Sequence, residues 1–176
     1  MDLSLITSFL CLAGFAGLCL AAAITDIQRR KIPNGITLVI ALLFGIYFLA
    51  NLGEVDWVGP LVVGGAILAV GFLIFAMNWL GAGDVKMLAA AGLWAGFAHV
   101  TELLLVTGLA GGILGLGYVL GDRLRRVPWI PLPPPEVKDL EELKKQKIYL
   151  PYGVAICAGA LVVALQKARD LSAGAF

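Results

Sequence analysis

The 176-residue sequence holds one histidine, three serines and three cysteines. With His99 alone there is no HExxH zinc site and no obvious Cys/His nucleophile pair. Ser4, Ser8 and Ser172 lie outside any GxSxG or Ser-Lys setting. Cys11, Cys19 and Cys157 sit in apolar runs without CxxC spacing, so they read as small buried hydrophobes. No metal site and no cofactor are expected. Charge is also scarce, at 14% of residues and a net +1. No basic patch with interleaved aromatics appears, so a nucleic-acid partner is not indicated. No Walker or GxGxxG loop appears, so a nucleotide is not indicated either.

What the chain has in abundance is apolar length. Hydrophobic residues make up 60% of it, a composition suited to a polytopic membrane protein and wrong for a soluble domain. Windows of about 20 residues mark six expected transmembrane helices, at 3–24, 35–53, 57–80, 84–101, 103–121 and 148–166. The second includes Asn51 near its end. The opening MDLSLITSFLCL lacks the basic n-region of a signal peptide and reads as a retained first span. The expectation is an all-α fold, one membrane-embedded unit over 1–176, with a Pro-rich and charged loop at 122–147.

The basic residues give an orientation. Loops 25–34, 81–86 and 122–147 fall on one side and carry eleven Lys and Arg, against Lys167 and Arg169 on the other. The positive-inside rule puts those loops in the cytoplasm and both termini on the far side of the bilayer. In the last loop, VPWIPLPPP (127–135) reads as a polyproline spacer, and 136–147 as a short helix with a Glu141–Lys145 pair. Glycines four apart (Gly92/Gly96, Gly111/Gly115, Gly117/Gly121) read as close helix packing. His99 reads as an interfacial side chain on the far side.

Elimination leaves carboxylates as the residues able to do chemistry. Asp26, in ITDIQRRKIPN, follows the first span; Asp84, in GAGDVK, follows the third. Two intervening passes return the chain to the same membrane face, so the two can meet. Only 15 residues separate Lys86 from Glu102, about 22 Å of helix against an apolar slab of roughly 30 Å. Asp84 is then needed to complete the span and lies at the membrane boundary, where an ionisable group is costly and tends to be functional. Two carboxylates held together cannot both ionise readily. They share a proton, and one acts as base while the other acts as acid. Such a pair can hydrolyse a peptide bond without metal or covalent intermediate. Gly81 and Gly83 open space, or unusual backbone angles, beside Asp84. The plainer alternative makes Asp84 a helix cap and Asp26 an ion-pair partner of Arg29 and Arg30. Lys86 reads first as a snorkelling anchor.

Three stretches carry a resemblance: DIQRRKIPN (26–34), GAGDVKMLAAAGLW (81–94) and PYGVAICAGAL (151–161). They resemble the type IV prepilin peptidases, GxGD-type aspartic proteases of the cytoplasmic (inner) membrane. The resemblance implies that Asp26 and Asp84 are catalytic. It implies a substrate that is a prepilin or pilin-like precursor, cut after a short basic leader and before a hydrophobic helix. Pro33, Asn34, Gly81, Gly83 and Lys86 fall in the matching motifs. Pro151, Tyr152 and Gly153 are similar, by analogy, to the proline motif that shapes the cleft of presenilin-like proteases. The sequence lacks the paired CxxC insertion that longer members associate with zinc and N-methylation. It is similar instead to the short form serving tight-adherence (Flp) pili. An archaeal preflagellin peptidase, a proton-coupled carrier and a non-catalytic pilus-assembly subunit remain alternatives at this point.

Overall fold

A computed structural model describes residues 3–53, 56–125 and 151–173. The polyproline stretch and the charged segment with Glu136, Asp139, Glu141 and Glu142 lie outside the described residues. Every regular element described is helical: α1 (Leu3–Arg29), α2 (Asn34–Ala50), α3 (Val58–Ala76), α4 (Ala82–Arg125) and α5 (Tyr152–Ala173).

The buried residues of α1 include Ser8, Leu12, Phe15, Cys19, Ala22 and Asp26, spaced three or four apart on one stripe. Asp26 is therefore the last member of a core face rather than a loop residue. The helix stops one turn later, where Arg30 enters the left-handed region (φ +51°) and donates its N–H to the Asp26 carbonyl at 2.8 Å. Pro33 forbids a continuous helix and starts the next one (φ −63°, ψ 133°). In α2 the buried stripe is Thr37, Ile40, Phe44 and Tyr47, and Asn51 follows at the C-cap. Asp56 launches α3 by accepting the Val58 and Gly59 N–H groups, each at 3.0 Å.

Gly96 interrupts α4 with φ +56° and ψ −165°, a backbone state open almost only to glycine. The first arm (82–95) packs on α3 through small residues, with Gly71 beside Val85 and Gly64 beside Leu93. The second arm (97–125) runs back along α5: His99 meets Asp170 near the C-terminal end of α5, and Gly111 meets Tyr152 at its start. The chain therefore reverses at Gly96, beside the Pro60 ring. The expected break between spans four and five, near residue 102, falls here instead. Gly92 packs as expected, Gly96 serves as the bend, and nothing lies within 4 Å of an ideal Cβ on Gly115, Gly117 or Gly121.

Several boundaries differ from expectation. The helix over 3–24 continues to Arg29, and α4 begins at Ala82, so Asp26 and Asp84 both lie inside helices. The last span starts at Tyr152 and continues to Ala173, taking in Lys167 and Arg169. Among the described residues, α1, α3 and 82–121 of α4 are long and apolar enough to cross a membrane, and α2 is apolar but shorter. That measure gives three against the six expected: it takes the two arms of α4 as one run, sets α2 apart as shorter, and does not include α5.

Trp94 forms the centre of the core, fully buried. It stacks on Phe15 (centroids 4.6 Å, 9° between planes), meets Phe44 edge-on at 5.7 Å, and lies 5.4 Å from Tyr47. Its indole N–H donates to the Ile40 carbonyl at 3.1 Å. This cluster pins α1, α2 and the first arm of α4 together. Asn51 Nδ2 ties α2 to α1 by donating to Ser8 Oγ at 2.8 Å. The three cysteines are buried and unpaired.

Candidate active site

One end of the bundle gathers the ends of α1 and the starts of α2, α4 and α5. Asp26 reaches it from the core stripe of α1, only 6% exposed. One of its carboxylate oxygens accepts the Gly153 N–H at 2.8 Å. That bond uses one of the four N–H groups that a helix start leaves unpaired, and the dipole of α5 favours a negative charge there. An ideal Cβ on Gly153 would stand 2.8 Å from Asp26 Oδ2 and 3.0 Å from its Cβ. Only glycine lets α5 come this close.

Asp84 sits in the first turn of α4 and folds back on the Gly81 backbone, whose N–H it accepts. An ideal Cβ on Gly81 would come within 2.8 Å of Asp84 Oδ2. Gly83 serves a different contact, since a Cβ there would lie 3.3 Å from the Ile32 Cβ. Ile32, buried in the short loop between α1 and α2, thereby docks the first turn of α4 against the Asp26 element. Neither Gly81 nor Gly83 has a positive φ. Close approach, not unusual backbone angles, is what they supply.

The two aspartates are 58 positions apart in sequence, yet the charge on Asp26 acts directly on Asp84. Among the described residues the one ion pair is His99–Asp170 at 2.9 Å, so Asp26 is not an ion-pair partner of the exposed Arg29 and Arg30. No three His, Cys, Asp or Glu side chains converge as a metal ion would need, among the described residues. What the arrangement can do is general acid–base chemistry: two carboxyl groups at one end of the bundle, each also beside a backbone N–H.

The remaining expected residues separate into two groups. Lys86 Nζ donates to Asn34 Oδ1 at 3.1 Å, joining the start of α4 to the start of α2 immediately after Pro33. Pro151 opens α5, its carbonyl accepting the Val154 N–H at 3.2 Å. Tyr152 packs its hydroxyl end on Gly111 of the second arm. His99 lies at the opposite end of the bundle. Sequence reasoning missed Ile32 and the donor role of the Gly153 N–H. An isolated isoleucine before a proline was the signal for the first; nothing local marks the second.

The sequence pattern of the type IV leader peptidase family matches residues 13–116. Curated relatives carry the name prepilin leader peptidase/N-methyltransferase. One from Aeromonas salmonicida is 30% identical over 110 residues, covering 57% of this chain and 36% of the relative. One from Escherichia coli K12 is 31% identical over 132 residues, covering 64% and 55%. One from Xanthomonas campestris is 26% identical over 159 residues, covering 74% and 53%. The chain thus spans between about a third and a half of these relatives' lengths. No solved structure matches it.

Proposed function

Because the chain belongs to the type IV leader peptidase family, we propose that it is a membrane aspartic endopeptidase that removes the basic leader from prepilin or pilin-like precursors. Asp26 and Asp84 are the catalytic pair. The observation that supports the reading is that two helix-borne carboxylates, far apart in sequence, lie at one end of the bundle, near enough for the charge on one to bear on the other.

In the working state one carboxyl is ionised and the other protonated. The ionised one takes a proton from water as the water oxygen attacks the scissile carbonyl carbon. The protonated one gives its proton to the carbonyl oxygen, forming a neutral gem-diol. Collapse of the diol breaks the C–N bond: one diol hydroxyl returns its proton to the ionised carboxylate, and the protonated carboxyl gives its proton to the departing amine. The Gly153 and Gly81 N–H groups hold the two carboxylates in place while their charges exchange. Lys86 and Asn34 fix the start of α4 against α2 and are positioning residues.

Arg29, Arg30, Lys31 and Lys86 at this end support a cytoplasmic site in the inner membrane, with both termini across the bilayer. A carrier with coupled carboxylates would hold them near the midplane between pathways. Here both lie at one end of the bundle, which favours the protease.

The test is processing of a precursor in membranes by Asp26→Asn and Asp84→Asn variants. Each is expected to accumulate normally and leave the precursor uncut. Normal processing by either variant would remove the pair as the catalyst.

A further inference from the structure

Among the described residues, α2 and α3 do not pack against one another. Both nevertheless line one cavity of about 590 Å³. Its walls are Leu38 and Ala41 of α2 and Leu61 and Leu68 of α3. Its floor is the first arm of α4, with Ala89, Ala90 and Leu93. Gly64 and Gly65 complete the α3 side, and an ideal Cβ on Gly65 would meet nothing within 4 Å. A second cavity of about 600 Å³ continues along α3 toward Phe75 and shares Gly65, Leu68 and Lys86 with the first.

This slot opens beside the candidate active site. Its end nearest that site is lined by the hydrogen-bonded Lys86 and Asn34, with Lys86 two residues from Asp84 and Asn34 directly after Pro33. From Asn34 to Ala41, and equally from Lys86 to Leu93, is about 10 Å along the axis, or two helical turns. Leu38, Leu61 and Leu68 stay 48–60% exposed in the isolated chain. Apolar walls with two glycines on α3 and two alanines on α4 form the kind of surface on which helices approach closely in lipid; acyl chains do not require such small residues.

We propose that this slot seats the first two turns of the apolar helix that follows the cleaved bond. A helix lying there presents its leading end beside Lys86 and Asn34, so the preceding extended peptide reaches the two aspartates. The inference rests on the leader-peptidase reading and adds the seat and the lateral route by which substrate enters, between α2 and α3.

The test uses the full chain in membranes with two substrates: a complete precursor, and a short peptide spanning the bond but lacking the apolar segment. Gly65→Leu places a side chain in the slot without an internal clash. It is expected to raise KM for the precursor and to lower the preference for precursor over short peptide by about tenfold, the worth of one buried leucine. Gly17→Leu, on the exposed face of α1 with open space around it, is the control and keeps the preference. A photo-crosslinking residue at Leu38 or Leu61 is expected to capture the precursor downstream of the bond. An unchanged preference in Gly65→Leu, or adducts to lipid or to a second copy of the chain alone, would overturn the slot while leaving cleavage intact. If the wild-type chain cuts neither substrate, the leader-peptidase reading falls and the slot falls with it.

Discussion

Replacing Gly153 with alanine is the sharpest perturbation of the site. The new Cβ would stand 2.8 Å from Asp26 Oδ2, 3.0 Å from its Cβ and 3.1 Å from its Cγ. Turning the carboxylate cannot relieve all three contacts, because the Asp26 Cβ is fixed to the backbone of α1. Reaching ordinary contact requires α1 and α5 to part by about half an ångström, near the tolerance of a catalytic constellation. The 2.8 Å hydrogen bond from the Gly153 N–H lengthens as they part. A displacement of that order is expected to lower kcat by about 10- to 100-fold, equivalent to about 1.4–2.7 kcal/mol in the barrier. Overpacking should also cost about 1–3 kcal/mol of stability. The assay is the initial rate of precursor cleavage by purified protein in proteoliposomes, with thermal unfolding measured on the same sample. Gly45→Ala, at a position with nothing within 4 Å, controls for the added methyl. A Gly153→Ala enzyme with wild-type kcat would refute the claim that this approach sets the position of Asp26.

Other positions give independent checks. Gly96→Ala forces an L-residue into φ +56°, ψ −165° and should cost about 1–3 kcal/mol, read as a lowered unfolding midpoint in detergent. Trp94→Ala should cost about 3–5 kcal/mol by emptying the aromatic cluster, whereas Trp94→Phe keeps a ring and chiefly loses the N–H bond to the Ile40 carbonyl, about 1 kcal/mol. Asn51→Ala removes the donor shared by Ser8 Oγ and the Tyr47 carbonyl and should cost about 1–3 kcal/mol. In a Ser8→Ala background the same change should cost less, and equal costs in both backgrounds would uncouple the pair.

Much of this arrangement is legible in the sequence, for identifiable reasons. Apolar length announces the helices, and the scarcity of other reactive residues singles out Asp26 and Asp84. The phase of Asp26 on the stripe through Ser8, Leu12, Phe15, Cys19 and Ala22 was also there to be read, since it needs only a period of 3.6. Other features depend on tertiary approach. Gly92 and Gly96 look alike in sequence, but one meets α3 and the other bends the chain, and only the placement of Pro60 and α5 separates them. The Gly153 N–H carries no sequence signal, because its value lies in the helix start it belongs to. The first and last helices run past their expected ends because helical backbone carries Asp26, Lys167 and Arg169 as readily as apolar residues.

The reversal at Gly96 has a mechanical consequence for the far end of the molecule. The first arm of α4 is a lever about 20 Å long, with its fulcrum at Gly96 and Asp84 near its tip. Its second arm lies along α5, the helix whose start touches Asp26. A swing of 5° at the fulcrum would move Asp84 by about 1.6 Å, a displacement on the scale to which catalytic geometry is sensitive. The contacts near the tip of the arm, Gly83 on Ile32 and Lys86 on Asn34, therefore bear the leverage of the bend beside Pro60.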